Sequence, residues 1–452
     1  MARKFKTVNY ADSLQQTVTL GDCLALDHLA RFIVGVIGLL DLSSFYAWYA
    51  PIGGQAFAPE VLLGLLLYGY ATGVFSSRKI EKATHESIPF RFIAGGLHPD
   101  HSTIAEFRKT FLVEITELFV QVLVLAHETG ILKLGNISLD GSKIHADASK
   151  SHAVSYGRLL TLQDALRAEV AELLALGEQA DQQALPDGLD VAEEILLRQD
   201  RLTQLEKAQA ILEARAKERA AAEQAEYEAK LRARDAKAQE TGRQPGGHAP
   251  EPPTPGPRAT DQYNFTDPDS RMMKNSNNAG FDQSYNVQIA VDQDSLLIVS
   301  HTLSNHPNDK GEALPTVDAI PSELGKPTAG ALDNGYFSPK TIDGFDDRGI
   351  DAYIATGREP HHQSWQERFA EQPAPPPADA SPIVKMAYKL QTDIGKAIYR
   401  LRKCTVEPVI GIIKEVLGFR QFSLRDLAAA AGEWGLVCLA FNLKRLHVLL
   451  AG

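Results

Sequence analysis

Between residues 131 and 304 the chain alternates strand-like and helix-like patterns in an order that neither an all-helical nor an all-β domain produces. ILKLGNISLDGSKIHADASK (131–150) has the compact apolar-to-polar texture of a strand that ends near an acidic residue. Residues 155–240 then turn to Leu-, Ala-, Glu- and Arg-rich helix, broken by LPDG at 185–188. The tract TGRQPGGHAPEPPTPGPRA (241–259) holds six prolines and four glycines and reads as a semi-rigid linker. YNVQIAVDQDSLLIVSHTLS (285–304) is two adjacent strands joined by a DQD turn. HPNDKGEALPTVDAI (306–320) starts a helix, and KPTAGALDNGYFS (326–338) is a strand running into a polar turn. Such an order predicts an α/β fold whose sheet is assembled from both sides of a long helical insert.

The flanks are predicted to be mainly helical. FIVGVIGLLDL (32–42) and VLLGLLLYGY (61–70) are too short to span a bilayer and read as buried helices, with Pro59 and Glu60 suited to a first turn. In RKIEKATHESIPFRFIAGGLHPDHSTIAEFRKTF (78–111), Thr103 and Glu106 have capping-box spacing. This basic, hydroxyl-bearing segment is a candidate phosphate-binding surface, with a plain packing or dimerisation domain as the alternative. In the insert, Ile195, Leu202, Leu205 and Leu212 make a partial heptad that fades, which predicts a helical hairpin or short coiled coil. Residues 357–382 are Pro-, Gln- and His-rich and read as a loop or small appendage. From 383 to 417 helix resumes, and FSLRDLAAAAGEWGLVCLAFNLKRLHVLL (422–450) reads as a basic helical tail.

The net charge of −11 argues against a nucleic-acid partner until its distribution is considered. Residues 158–240 carry 12 Lys/Arg against 18 Asp/Glu, whereas residues 382–452 carry 11 against 5. Acidity is thus concentrated in the insert. The three cysteines, Cys23, Cys404 and Cys438, are widely spaced, which disfavours a disulfide framework or zinc site and fits a reducing cytosol. Cys404 is expected to be partly buried. No secretory signal or membrane segment is expected.

Phosphodiester cleavage needs an activated nucleophile and a stabilised leaving oxygen. Two Mg²⁺ ions about 3.5–4 Å apart, held by carboxylates from separate elements, supply both. Asp140, after NISL and before Gly141, is placed at a strand exit, and Asp333 follows AGAL ahead of Asn334–Gly335. A third carboxylate, Glu407, lies in AIYRLRKCTVEPVIGIIKE. There Pro408 predicts the start of a new helix with Glu407 at or just outside its N-terminus. Lys414 lies two helical turns beyond Glu407 on nearly the same face. Asp147, Asp309 and Asp351 are candidates by the same rule, and Lys143 and His145 alternate with Asp147. Taken alone, an aspartate at a strand end is more often a turn former than a metal ligand, and Lys143 and His145 fit solvated positions as well.

Together these segments resemble the insertion-sequence DDE transposases, in the IS1182-like branch of the IS4/IS5 assemblage. SLDGSKIHADASK is similar to the segment with the first aspartate, ALDNGYFS to the second-aspartate motif, and YRLRKCTVEPVIGIIKE to the glutamate signature. TDPDSRMM, GFDQSYNVQIAVD, FRFIAGGLHPDHSTIAEFRKTF and GEWGLVCLAFNLKRL extend the likeness over about residues 20–160 and 262–450. The resemblance implies a ribonuclease-H-like catalytic core, with Asp140, Asp333 and Glu407 as catalytic metal ligands for two Mg²⁺, which Mn²⁺ would replace. Tyr399, Arg402 and Lys414 correspond to accessory residues that position DNA phosphates. Arg402 stands one residue farther from Glu407 than the family pattern has it, so Lys403 is the alternative.

The expected organisation is 1–130, a helical N-terminal domain; 131–157, the first part of the core; 158–240, the insert; 241–261, the linker; 262–417, the second part of the core; and 418–452, the basic tail. The implied activity is cleavage at the element's terminal inverted repeats and 3′-hydroxyl transfer into target DNA. A homodimer on paired ends, with no membrane partner, would act in the cytoplasm at the nucleoid. A metal-dependent nuclease, or a catalytically inactive DNA-binding relative, is the alternative.

Overall fold

The computed structural model of the chain describes residues 19–50, 54–179, 188–241, 246, 248–274, 280–357 and 374–451. They form two compact units, one drawn from Met1–Ala146 and Ser284–Gly452, the other from Asp147–Gln283. The protein is mixed α/β, with a helical N-terminal region and a mixed sheet, as the strand-and-helix texture predicts.

In the first unit, helices α1 (Leu29–Ile37), α2 (Pro59–Thr72), α3 (Ser77–Glu86), α4 (Ile88–Ile93), α5 (His101–Thr110) and α6 (Leu112–Glu128) precede the sheet. Pro59 opens α2 at a position where its missing N–H costs nothing, and Leu62 through Ala71 are buried. Gly73 ends the helix at φ +82°, and a Cβ there would meet the Leu417 carbonyl at 2.7 Å. The cap of α5 is Asp100, not Thr103. Its Oδ1 accepts from the Ser102 and Thr103 amides and its Oδ2 from the Thr103 hydroxyl, so Thr103 serves the cap instead of forming it.

The sheet contains β1 (Asn136–His145), β5 (Phe281–Asp292), β6 (Ile298–Ser304), β7 (Ala329–Leu332) and β8 (Asp351–Ile354). Within this unit these strands stand in the order β6-β5-β1-β7-β8. β1 pairs antiparallel with β5, and β5 with β6, while β1, β7 and β8 run parallel. Near-continuous burial of β5 and β7 marks them as interior strands. Helices α9 (Ala313–Asp318) and α10 (Pro339–Asp347) link the later strands. α11 (Pro382–Gln391) and α12 (Asp393–Gly411) follow, and α12 packs on β1 and β7. Of the loop expected at 357–382, residues 358–373 lie outside the described residues.

The segment expected as a basic tail is α13 (Leu427–Ala451), a helix largely sunk into the unit against α2, α6 and β6. Its cations are held inside the fold, with Lys444 Nζ donating to the Ala71 carbonyl and Arg445 Nε to the Ser295 carbonyl. By length and composition α13 meets the requirement for a membrane span, and two bent helix pairs would meet it jointly, yet 61% of its apolar window is buried in the protein. Packing thus accounts for its apolarity.

His301 on β6 sets its ring edge-on to Phe119, 4.7 Å between centroids, and burial pushes its pKa down to about 4. Below pH 6.5 the unfolded chain takes up a proton that the folded ring refuses until near pH 4. This histidine therefore withdraws stability as pH falls through that window, by up to about 3 kcal/mol at its lower end. Urea unfolding at pH 7 and pH 5 is expected to show a smaller acid loss for His301→Gln than for the wild type.

The second unit contains β2 (Ala153–Ser155), α7 (Tyr156–Gln179), α8 (Val191–Thr241), β3 (Gln262–Asn264) and β4 (Arg271–Lys274). β2 and β3 pair antiparallel, and α7 packs along α8. Leu205, Ala208 and Leu212 of α8 bury against Leu159 and Leu166 of α7, which is where the partial heptad finds its partner. Of the expected linker, residues 242–245 and 247, and of the LPDG break residues 185–187, lie outside the described residues.

Candidate active site

Asp140 is in the middle of β1, opposite Ile289 of β5, and not at a strand exit. The reason is Gly141, which continues the strand because its missing side chain is needed there. A Cβ on Gly141 would meet the Gln288 amide nitrogen at 2.2 Å. Pairing of β1 with β7 nevertheless stops at Ser138, so Asp140 lies just past the parallel ladder. Asp333 follows β7 directly, as its sequence setting predicts, and its Oδ1 accepts from the Gly335 amide to cap the turn Asn334–Tyr336. Because β1 and β7 are parallel, both residues fall at the same end of the sheet.

Glu407 lies within α12 and not before a new helix, since Pro408 is inside a continuous helix. Pro408 offers no N–H to the Cys404 carbonyl, but Cys404 is exposed and water can serve that oxygen. The exposure of Cys404 also corrects its expected burial. After Gly411 the helix widens into a single π turn, Ile412–Val416, which shifts Lys414 from the phase that an uninterrupted helix would give it. Lys414 Nζ donates to Ser142 Oγ at 2.9 Å and approaches the Lys143 carbonyl at 3.4 Å, and burial lowers its pKa.

Arg402 joins two of the carboxylates. Its Nη1 donates to Asp140 Oδ2 at 3.1 Å and its Nη2 to Glu407 Oε1 at 2.8 Å. Its side chain is 9% exposed, against 20% for Asp140 and 45% for Glu407. Helical spacing favours Lys403, four residues before Glu407, but the longer reach from Arg402 spans both acids while Lys403 is exposed. Burial opposes the Arg402 charge, yet Asp140, Tyr399, Glu407 and Asp333 hold its pKa up. Tyr399 packs with Ala329, Ala331 and Tyr353, its ring centroid 6.0 Å from the guanidinium carbon.

Asp140 feels both of the other acids. Burial raises Asp140 to about 6, with Asp333 and Glu407 adding to the rise and Arg402 and the Gly141 amide opposing it. Burial likewise raises Asp333, assisted by Asp309. Asp309 belongs to a neighbouring network in which its Oδ1 accepts from Lys143 Nζ (3.1 Å), Asn286 Nδ2 (2.7 Å) and Gln288 Nε2 (2.8 Å). Gln288 in turn accepts from the Tyr336 hydroxyl, three residues after Asp333. Sequence reasoning did not single out Gln288 or Tyr336; the one visible signal was polar Asn286 and Gln288 alternating in an apolar strand.

The remaining candidates are elsewhere. Asp351 opens β8 opposite Ala329, at the other end of the sheet from Asp333, and pairs with Lys389. Asp147 begins the second unit. His145 uses its backbone, its amide donating to the Arg420 carbonyl and its carbonyl accepting from Phe422. Among the described residues, no three His, Cys, Asp or Glu side chains are grouped as a ready-made metal cage. Between Asp140 and Glu407 the cation in place is Arg402.

Two known families match the chain. Residues 18–110 match a transposase domain (DUF772), and residues 241–443 match the transposase DDE domain. The second match takes in Asp333, Arg402, Glu407 and Lys414, while Asp140 lies before it. Searches of curated proteins and of solved structures return no match. With about two thirds of its length in these two matches, the chain belongs to the insertion-sequence transposases of the DDE type, DNA-processing enzymes that move mobile elements.

Proposed function

We propose that Asp140, Asp333 and Glu407 are the catalytic carboxylates of a divalent-metal-dependent strand cleavage and strand transfer, with Mg²⁺ as the physiological ion and Mn²⁺ as its substitute. The observation that carries this reading is the convergence of Asp140 and Glu407 on the single Arg402 guanidinium, with Asp333 near enough to raise Asp140. The β6-β5-β1-β7-β8 order supports a ribonuclease-H-like core. All three donors are hard carboxylate oxygens, which fit Mg²⁺ and Mn²⁺ better than softer metals. When bound, the ions would supply a nucleophile at neutral pH and charge stabilisation at the leaving oxygen.

The protein's own groups supply placement. β1 and the turn after β7 hold Asp140 and Asp333 at one sheet end, and α12 brings Glu407 from above, open enough to solvent for DNA to reach. Arg402 neutralises Asp140 and Glu407, and its guanidinium is suited to a DNA phosphate once a divalent ion takes over that charge. Lys414, Lys403 and Tyr399 are the other positioning candidates. Of these, Lys403 is exposed and Lys414 half-buried, whereas Tyr399 is buried and acts on Arg402 from behind. Substrates are the element's terminal inverted repeats and target DNA, engaged by a dimer in the cytoplasm at the nucleoid.

The test is product analysis with purified protein, Mg²⁺ and DNA carrying the element's two ends. Cleavage followed by joining of the freed 3′ ends to a second DNA is the expected result. Cleavage without joining would leave a nuclease, and DNA binding without cleavage an inactive relative.

A further inference from the structure

We propose that a buried hydroxyl–amide node formed by Ser138, Thr405 and Gln293 is the positioning device that sets α12 on β1 and so places Arg402 and Glu407 against Asp140; this rests on the carboxylate site proposed above. Thr405 Oγ1 lies 2.9 Å from Ser138 Oγ and 2.7 Å from the Leu401 carbonyl. Gln293 Nε2 donates to Ser138 Oγ at 3.0 Å and to the Ile398 carbonyl at 3.2 Å. The Gln293 backbone N–H also donates to the Asn136 carbonyl. One cluster therefore ties β1, the β5–β6 turn and α12 together.

Its setting is apolar. Ser138 is 0% exposed and stands opposite Val291 of β5 and Ala331 of β7, and Thr405 is 2% exposed. Alanine and valine would fill these positions with the same shape and no polar atom. A hydrogen bond between two buried hydroxyls contributes little net stability, but either hydroxyl left without the other is costly. Sliding α12 along β1 would break the Ser138–Thr405 bond and leave Thr405 only carbonyls of its own helix, so the pair favours one register in a way that apolar packing does not.

The spacing makes that register matter to the site. Ser138 is two residues before Asp140 and on the same face of β1. Thr405 is one turn after Arg402 and two residues before Glu407 on α12. Neither hydroxyl reaches the carboxylates, so their role is positioning.

The test compares wild type with Thr405→Val, Ser138→Ala and Thr405→Ser, reading Mn²⁺ affinity by calorimetry, kcat and KM for DNA cleavage, and the urea midpoint. Thr405→Val is expected to fold with a modestly lowered midpoint, because Ser138 then keeps only Gln293 as a partner, and to lose about 10–100-fold in Mn²⁺ affinity and in kcat, the scale for groups that orient metal ligands. KM for DNA should be unchanged, Thr405→Ser should restore both losses, and Ser138→Ala should resemble Thr405→Val. Variants that keep wild-type Mn²⁺ affinity and kcat beside an active wild type would overturn the inference alone. So would losses that merely track unfolding and that Thr405→Ser fails to restore. A wild type that neither binds Mn²⁺ nor cuts would overturn the carboxylate-site reading and this inference with it.

Discussion

Glu433→Ala is expected to lower folding stability by about 3–5 kcal/mol, the cost of breaking a buried ion pair from one side. Glu433 on α13 is 0% exposed, and its two oxygens accept from three residues. Oε1 accepts from the Tyr70 hydroxyl at 2.8 Å and from the Ser423 hydroxyl, while Oε2 accepts from the Ser423 and Leu424 amides at 2.8 and 3.0 Å. Arg108 Nη1 lies 3.6 Å from Oε1 and donates to the Tyr70 hydroxyl at 2.8 Å. Removing the carboxylate strands a buried guanidinium and two backbone donors in the loop that follows the Lys414 turn. Chemical denaturation monitored by circular dichroism checks this. Glu433→Gln should recover part of the loss, since it keeps an acceptor; a loss below about 1 kcal/mol for the alanine variant would show that the network is not holding α13 in place.

Arg402→Met is expected to have the second large effect, and one that depends on conditions. In chelator, the change leaves Asp140 buried without its counter-charge, with Asp333 and Glu407 adding repulsion, and the expected cost is about 3 kcal/mol or more. Added Mg²⁺ or Mn²⁺ should return much of that stability to the variant and less to the wild type, because in the wild type the ion has to displace a cation already present. Thermal unfolding in chelator and in excess Mn²⁺ reads both effects. Equal metal stabilisation of the two proteins would argue that Arg402 and the ion do not compete for the same carboxylates.

Much of the architecture was legible in the chain. Alternation in YNVQIAV, the AGAL run ending in Asp333, and the proline-started helix at Pro59 all have local physical causes and are found where those causes put them. What local rules misjudged were residues whose meaning is set by a distant neighbour. Gly141 reads as a turn, but its role is to leave room for the Gln288 amide, so β1 runs on and Asp140 sits in mid-strand. Pro408 reads as a helix start, but α12 is already established by packing on β1 and β7 and carries the proline through. The closing segment looks basic in composition, while tertiary packing turns α13 inward and satisfies Lys444 and Arg445 on backbone carbonyls. In the site itself, residue types left these three acids among several candidates, and the family resemblance selected them while leaving Arg402 and Lys403 open; the fold stands Arg402 between Asp140 and Glu407. The Ser138–Thr405 pair had no sequence signal beyond a lone serine in an apolar strand.

The central claim is that Asp140, Asp333 and Glu407 work as one catalytic set. Its most direct measurement is Mg²⁺-dependent cleavage of DNA bearing the element's inverted-repeat ends by Asp140→Asn, Asp333→Asn and Glu407→Gln beside the wild type, with DNA binding measured in parallel. Each variant is predicted to bind DNA like the wild type and to cut it more than ~100-fold more slowly, beyond the usual effect of residues that only support metal ligands. A near-wild-type cleavage rate in any one of the three would contradict the account by removing that residue from the set.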